Sequence, residues 1–150
     1  MSHEASLGGL AVVAACTANY GTQFSQFDIQ LRRYAKRHGF ASHFAVPSQG
    51  ELSFYQKATT IRQAAESFPP SIRWLWWADC DTVILDEAID ARDLLKAALE
   101  AAGAPSPSFV ASYETWGEHE GGHPINTGSI FIRRDDAGRH ILAKWEHACK

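Results

Sequence analysis

The spacing of apolar and polar positions changes several times along the chain, and each change marks a new element. Leu10–Tyr20 is an apolar run that passes into a polar turn at Gly21 and Thr22, the pattern of a buried first strand. From Ser25 the period becomes helical: Phe27, Ile29, Leu31 and Tyr34 with Ala35 recur near helical spacing, and Arg32, Arg33, Lys36 and Arg37 cover the other face as a solvated one. Ser25 is placed to cap this helix and Gly39 to stop it. Phe40–Val46 alternates as a strand that Pro47 closes, and Phe54–Phe68 returns to helical spacing through Tyr55, Ala58, Ile61, Ala65 and Phe68. Pro69 and Pro70 end that helix, because proline cannot continue it and restricts the residue before it.

Ile72–Ala78 (Ile-Arg-Trp-Leu-Trp-Trp-Ala) is a short apolar run rich in β-formers and without helical period, which reads as a strand buried on both faces. An acidic turn follows, then an Ala- and Leu-rich helix over Ala88–Ala102 that Gly103 terminates. Phe109–Tyr113 reads as a short strand, Glu114–Pro124 as a Gly- and His-bearing loop, and Ile130–Arg133 as a further strand. Asp135–Cys149 is a last amphipathic helix built on Ile141, Leu142 and Trp145. Strands alternating with helices imply an α/β fold, with a mainly parallel sheet covered by helices on both faces. At 150 residues the chain is one domain's worth, residues 1–150. It stops at a helix without a polar tail, which reads as an incomplete C-terminal end.

The candidate chemistry sits at the end of the Ile72–Ala78 strand. Asp79 and Asp81 arrive one residue apart, where open α/β sheets bind ligands. Two neighbouring carboxylates repel unless positive charge lies between them, and a divalent cation supplies it. The same Asp-x-Asp fits a phosphatase of the haloacid-dehalogenase type, with Asp79 as nucleophile and Asp81 as acid/base. That family carries the pair on its first strand, however, and two βα units precede it here.

Composition narrows the field further. A net charge of −3 and a pI near 6.1 argue against a general nucleic-acid binder, which needs a basic face. Leu7–Cys16 is apolar over only ten residues, against the roughly 20 that a helix needs to cross a bilayer. It also lacks a basic leader, so neither a membrane span nor a signal peptide is expected. Three scattered cysteines, Cys16, Cys80 and Cys149, suggest no disulfide framework and hence a reducing, cytoplasmic setting. Cys80 is expected to turn away from the acids into the core.

Residues 74–86 (Trp-Leu-Trp-Trp-Ala-Asp-Cys-Asp-Thr-Val-Ile-Leu-Asp) resemble the Asp-x-Asp strand of glycosyltransferase family 34, which holds galactosyl-, mannosyl- and xylosyltransferases. Upstream, Lys57-Ala-Thr-Thr-Ile-Arg is similar to that family's Lys-bearing helix. Downstream, Ile125-Asn-Thr-Gly-Ser-Ile-Phe-Ile-Arg-Arg and Trp145 match its later segments, so the resemblance covers residues 10 to 148. It implies a GT-A (Rossmann-like) fold and a retaining transfer of a hexosyl or pentosyl group from a UDP- or GDP-sugar to a glycan acceptor. It also implies a Mn²⁺ or Mg²⁺ cofactor and, in eukaryotic members, a Golgi setting.

By this resemblance Asp81 binds the metal and Asp79 contacts the ribose, or the metal through water. Thr17, Asn19 and Tyr20 lie by the nucleotide, Lys57 reads equally as a contact of the donor phosphates or a solvated helix residue, and Asn126, Thr127, Gly128 and Ser129 lie along the sugar pocket. No catalytic nucleophile carries over. The His that completes the family's metal site has no counterpart at the matching place. His123, with His119, Glu118 and Glu120 nearby, is the candidate third ligand, while His140 and His147 read as surface residues. Trp116 is the candidate for stacking on a sugar ring, and Trp74, Trp76 and Trp77 read as core. A nucleotide-sugar-binding module without turnover is the non-enzymatic alternative.

Overall fold

The computed structural model describes residues 7–16, 25–45, 54–103, 105–113 and 125–148. Leu10–Ala15 and Trp74–Ala78 are buried at every position, which a strand achieves only when both faces of its sheet are covered. They form β1 (Gly9–Ala15) and β3 (Ile72–Ala78), parallel neighbours with Val12 opposite Trp76 and Val13 opposite Trp77. β2 (Ala41–Ala45) pairs parallel on the outer side of β1. β5 (Ile125–Arg133) pairs antiparallel with β3, and β4 (Phe109–Tyr113) antiparallel with β5. The order is β2-β1-β3-β5-β4. The sheet is thus mixed: of its five strands only β5 runs against the rest. No helix is described between β4 and β5, and antiparallel neighbours need no crossover helix.

The four helices of the described residues divide between the two faces, as strand alternation requires. On one face Leu31, Tyr34 and Ala35 of α1 (Ser25–His38), with Ala91 and Leu95 of α3 (Ala91–Ala102), pack on Leu10, Val12, Ala14, Trp74 and Trp76. On the other, Ala58, Ile61 and Ala64 of α2 (Phe54–Ser67), with Leu142 of α4 (Asp136–Ala148), cover Ala11, Val13, Leu75, Trp77, Ile130 and Ile132. The expected α/β layering therefore holds. Gly39, with φ +67°, takes the left-handed residue that ends α1.

Two boundaries differ from expectation for local reasons. α3 begins at Ala91 rather than Ala88, because Asp90 is its N-cap and accepts from the Arg92 N–H at 2.8 Å. β5 begins at Ile125 rather than Ile130. Asn126-Thr-Gly-Ser has weak β-propensity, yet Ser129 lies opposite Ala78 and Asn126 opposite Ser112.

The chain between β3 and α3 has no regular structure and is held by α1 instead. Gln30 donates its amide to the Ile84 carbonyl at 2.7 Å and accepts from the Ile84 N–H at 3.1 Å. The Tyr34 hydroxyl donates to the Ile89 carbonyl and accepts from the Ala91 N–H, at 2.7 and 2.8 Å. His38 Nε2 lies 2.8 Å from the Glu87 carbonyl, and Arg33 pairs with the Glu87 carboxylate.

Gly138 lies buried in the first turn of α4, where a Cβ would collide with the Arg133 carbonyl oxygen. Backbone cannot yield as a side-chain tip does, so Gly138→Ala is expected to destabilise the fold by about 2 kcal/mol or more in urea unfolding. Acid should also weaken it. Asp90 is held below the usual carboxylate range chiefly by Arg92. At Asp135 burial acts upward, but the Gly138 N–H, the Ser108 hydroxyl and Arg133 together outweigh it and hold the group low. A carboxylate depressed in the folded state stabilises above its unfolded pKa and loses that contribution as pH falls through its folded value. The melting temperature should drop as pH falls below about 3.8, the ordinary value for both groups, and drop less in Asp90→Asn and Asp135→Asn.

Candidate functional site

Asp79 follows the last residue of β3, and its backbone is fixed on both sides. Its N–H donates to the Gly128 carbonyl at 2.8 Å, and its carbonyl accepts from Thr82 N–H at 2.9 Å. Its side chain shares a side with Trp77, two residues earlier, and accepts from the indole N–H at 2.6 Å. Both carboxylate oxygens also face Lys57 of α2, with Nζ at 2.7 Å from Oδ1 and 3.0 Å from Oδ2. A further N–H of Lys57 reaches the Thr127 carbonyl at 3.1 Å.

Lys57 is only 8% exposed. An ammonium group so buried is tolerated when it is paired and hydrogen-bonded, and Asp79 with Thr127 supplies both conditions. Lys57 is therefore neither a solvated helix residue nor a side chain reaching into open water. The signal was present in the sequence: Lys57 precedes Ile61 by four and Ala64 by seven, on the buried stripe of α2.

Beside this pair, β5 supplies Asn126–Ser129. Gly128 lies so near that a Cβ would stand 3.3 Å from Asp79 Oδ2 and 3.0 Å from Asn126 Oδ1. Asn126 Oδ1 accepts from the Gly128 N–H at 2.7 Å, which fixes the amide. Ser129 faces the other side of the sheet, where its hydroxyl accepts from Trp76 Nε1 at 2.9 Å. Trp74, Trp76 and Trp77 are buried, as expected of core residues, and His140 and His147 are exposed. Thr17, Asn19, Tyr20, Trp116 and His123 lie outside the described residues, as do Glu118, His119 and Glu120.

Asp81 contrasts with Asp79. It is exposed, and no ion pair or hydrogen bond holds its carboxylate among the described residues. Lys57 cancels one of the two adjacent charges and leaves the outer one uncompensated. The positive charge that the two acids require thus comes in part from the chain itself.

Cys80 does not point into the core. It is disulfide-bonded to Cys16, with the two Cα atoms 5.4 Å apart and 64 residues between them in sequence. The expectation of unpaired cysteines fails on strand register. Val13 lies opposite Trp77, so continuing both parallel strands by three residues brings Cys16 opposite Cys80. Neighbouring strands lie about 4.8 Å apart, within disulfide reach. With that bond, the ground for a reducing compartment falls away.

Among the described residues no three His, Cys, Asp or Glu gather into a metal cage. The donors present are carboxylate oxygens, which suit Mg²⁺ or Mn²⁺. Mg²⁺ is commonly held by one or two carboxylates together with substrate phosphates rather than by an all-protein cage. Asp81, with Asp79 behind it, fits that arrangement.

Removing one partner of the Lys57–Asp79 pair leaves the other charged in a half-buried place. Lys57→Met is expected to cost about 2–3 kcal/mol in urea unfolding, reduced from the fully buried case because Asp79 keeps some solvent. Lys57→Met with Asp79→Asn should cost less than the sum of the two single changes, because the charges disappear together. Additive costs would exclude the pair as the reason Lys57 is buried.

The comparisons with known proteins agree with this architecture. A sequence profile of the galactosyl transferase GMA12/MNN10 family matches residues 18–102. An alpha-1,2-galactosyltransferase of Schizosaccharomyces pombe is 26% identical over 155 aligned positions, 81% of this chain and 39% of that protein. The crystal structure of a glycosyltransferase involved in glycosylation of the major capsid of PBCV-1 superposes with a TM-score of 0.69 at 20% identity. It covers 91% of this chain and 65% of that one, so this chain spans well under the full length of the first relative and about two thirds of the second. The fold is that of the GT-A glycosyltransferases, and the chain belongs to the galactosyl transferase GMA12/MNN10 family, glycosyltransferase family 34.

Proposed function

We propose that the chain carries the donor-binding half of a metal-dependent glycosyltransferase, which moves a hexosyl or pentosyl group from a UDP- or GDP-sugar onto a glycan hydroxyl. The supporting observation is the division of labour at the end of β3: Asp79 is neutralised by buried Lys57, while Asp81 is exposed and has no partner among the described residues. Such a site keeps one carboxylate for structure and ribose contact and offers the other to a cation.

In this reading Asp81 is the direct ligand of Mn²⁺ or Mg²⁺. The cation, when bound, supplies Lewis-acid neutralisation of the departing diphosphate. Asn126 and Thr127 offer polar groups to sugar hydroxyls, and Gly128 lets the donor approach the backbone closely. Lys57 acts on the donor through Asp79, because its described contacts are with Asp79 and Thr127. Thr17, Asn19 and Tyr20 remain the candidate nucleotide contacts, Trp116 the candidate sugar platform, and His123 the candidate third ligand. A closed Cys16–Cys80 bond supports an oxidising compartment, in keeping with the lumenal setting that the family resemblance implies. No helix of the described residues is long and apolar enough to cross a membrane.

Titration calorimetry with UDP- and GDP-sugars, with and without Mn²⁺, tests the reading. One nucleotide sugar should bind in a Mn²⁺-dependent way, and Asp81→Asn should weaken that binding by about tenfold or more at unchanged melting temperature. Binding without transfer to any glycan acceptor would leave a binding module. Absence of metal-dependent nucleotide binding, with phosphate-ester hydrolysis abolished in Asp79→Asn, would replace the transferase by a phosphatase.

A further inference from the structure

The Cys16–Cys80 disulfide adds nothing to either core, yet it is centred on the acidic turn. Cys80 is the residue between Asp79 and Asp81. Its partner stands at the carboxyl end of the neighbouring strand, where the Cys16 N–H donates to the Ala45 carbonyl of β2 at 3.1 Å. The bond therefore joins the turn that carries both acids to the ends of β1 and β2. Both cysteines are half-buried, so solvent reagents can reach them.

The other restraints on the turn fall unevenly. Asp79 is fixed through its N–H, carbonyl and side chain. Further on, Ile84 is clamped by Gln30. Between them Asp81 is exposed and has no described side-chain partner. Two restraints flank the Asp81 backbone, the Thr82 N–H bond to the Asp79 carbonyl and the covalent link at Cys80, and of these the link is the one that ties the turn to β1.

We propose that this disulfide is a positioning crosslink for the acidic turn, and that opening it lowers the affinity of Asp81 and Asp79 for a divalent cation with a nucleoside diphosphate. The cation part rests on the proposed function; the restraint on the turn does not. A dithiol reductant opens the bond: it yields two electrons and two protons, the S–S bond breaks, Cys16 and Cys80 each become thiols, and the reductant closes its own disulfide. The chain then carries a thiol–disulfide control on its site.

The test uses the whole chain, prepared without reductant and then split into oxidised and dithiothreitol-reduced samples, the latter freed of reductant under anaerobic conditions. Amide hydrogen exchange reports on the turn without any ligand. Reduction should speed exchange of the Thr82 N–H, which donates to Asp79, while Trp76 and Leu75 in the sheet stay protected. Mn²⁺ titrated in the presence of UDP and followed by electron paramagnetic resonance should bind about tenfold more weakly after reduction, the size seen when a group behind a metal ligand is lost. Reoxidation should restore both readings. Cys80→Ser and Cys16→Ser should behave as the reduced chain does and ignore reductant.

A lowered melting temperature with unchanged Thr82 exchange and unchanged Mn²⁺ affinity would overturn the proposal, because a crosslink that only stabilises predicts that result. Free Cys16 and Cys80 thiols in the chain prepared without reductant would also overturn it. Failure to bind Mn²⁺ with UDP in either redox state would overturn the cation reading of the site and, with it, the affinity control proposed here. Redox-dependent exchange at Thr82 would in that case still assign the crosslink its hold on the turn.

Discussion

One buried ion pair organises the working end of this sheet. Lys57 rises from the inner stripe of α2 and meets Asp79 at the carboxyl end of β3, with Thr127 of β5 as its second acceptor. Three elements far apart in sequence converge on one ammonium group. Such a group is costly to bury and pays its way only while all its partners are in place, so the pair couples the position of a helix to the positions of two strands. Trp77, whose ring lies 5.5 Å from Lys57 Nζ and whose N–H binds Asp79, closes the arrangement from the core side.

The pair also settles the electrostatics of the two acids. Alone, Asp79 and Asp81 would repel one another or demand an external cation. With Lys57 in place, the exposed carboxylate is the one left without a compensating charge among the described residues. The inner acid thereby becomes part of the scaffold and the outer one remains open to solvent. A single lysine on an otherwise apolar stripe produces that asymmetry.

Much of the fold was legible in the sequence, because strand and helix periods differ and the chain switches cleanly between them. Ile72–Ala78 and Phe109–Tyr113 came out with the same limits as in the structure, and all four helices lie where the apolar spacing puts them. What escaped depended on partners distant in sequence. Asn126–Ser129 is strand because Ala78 and Ser112 lie beside it, not because its residues favour extension. Lys57 read equally as a solvated helix residue or a phosphate contact, because charge is a stronger local cue than position on a stripe. Cys16 and Cys80 pair only through the register of β1 on β3, which no count of cysteines contains. Of the candidate site, Asp79, Lys57 and Asn126–Gly128 do gather at one place, while Ser129 turns to the other face of the sheet; the contacts that hold them there were not readable beforehand.

The inner side of α1 invites a different comparison. Gln30, Tyr34 and His38 stand at successive turns of one helix face, and each binds the main chain of the stretch from Ile84 to Ala91. That stretch has no ladder of its own, so its shape is cast against the helix as against a mould. Exposed side chains such as Leu85 are free to vary, whereas Glu87 and Asp90 are held by Arg33 and Arg92, and a change in the length of the stretch would pull part of it off the helix. Inheritance of the loop's form thus resides in a helix some fifty residues upstream, and variants there belong to the same functional unit as variants beside Asp81.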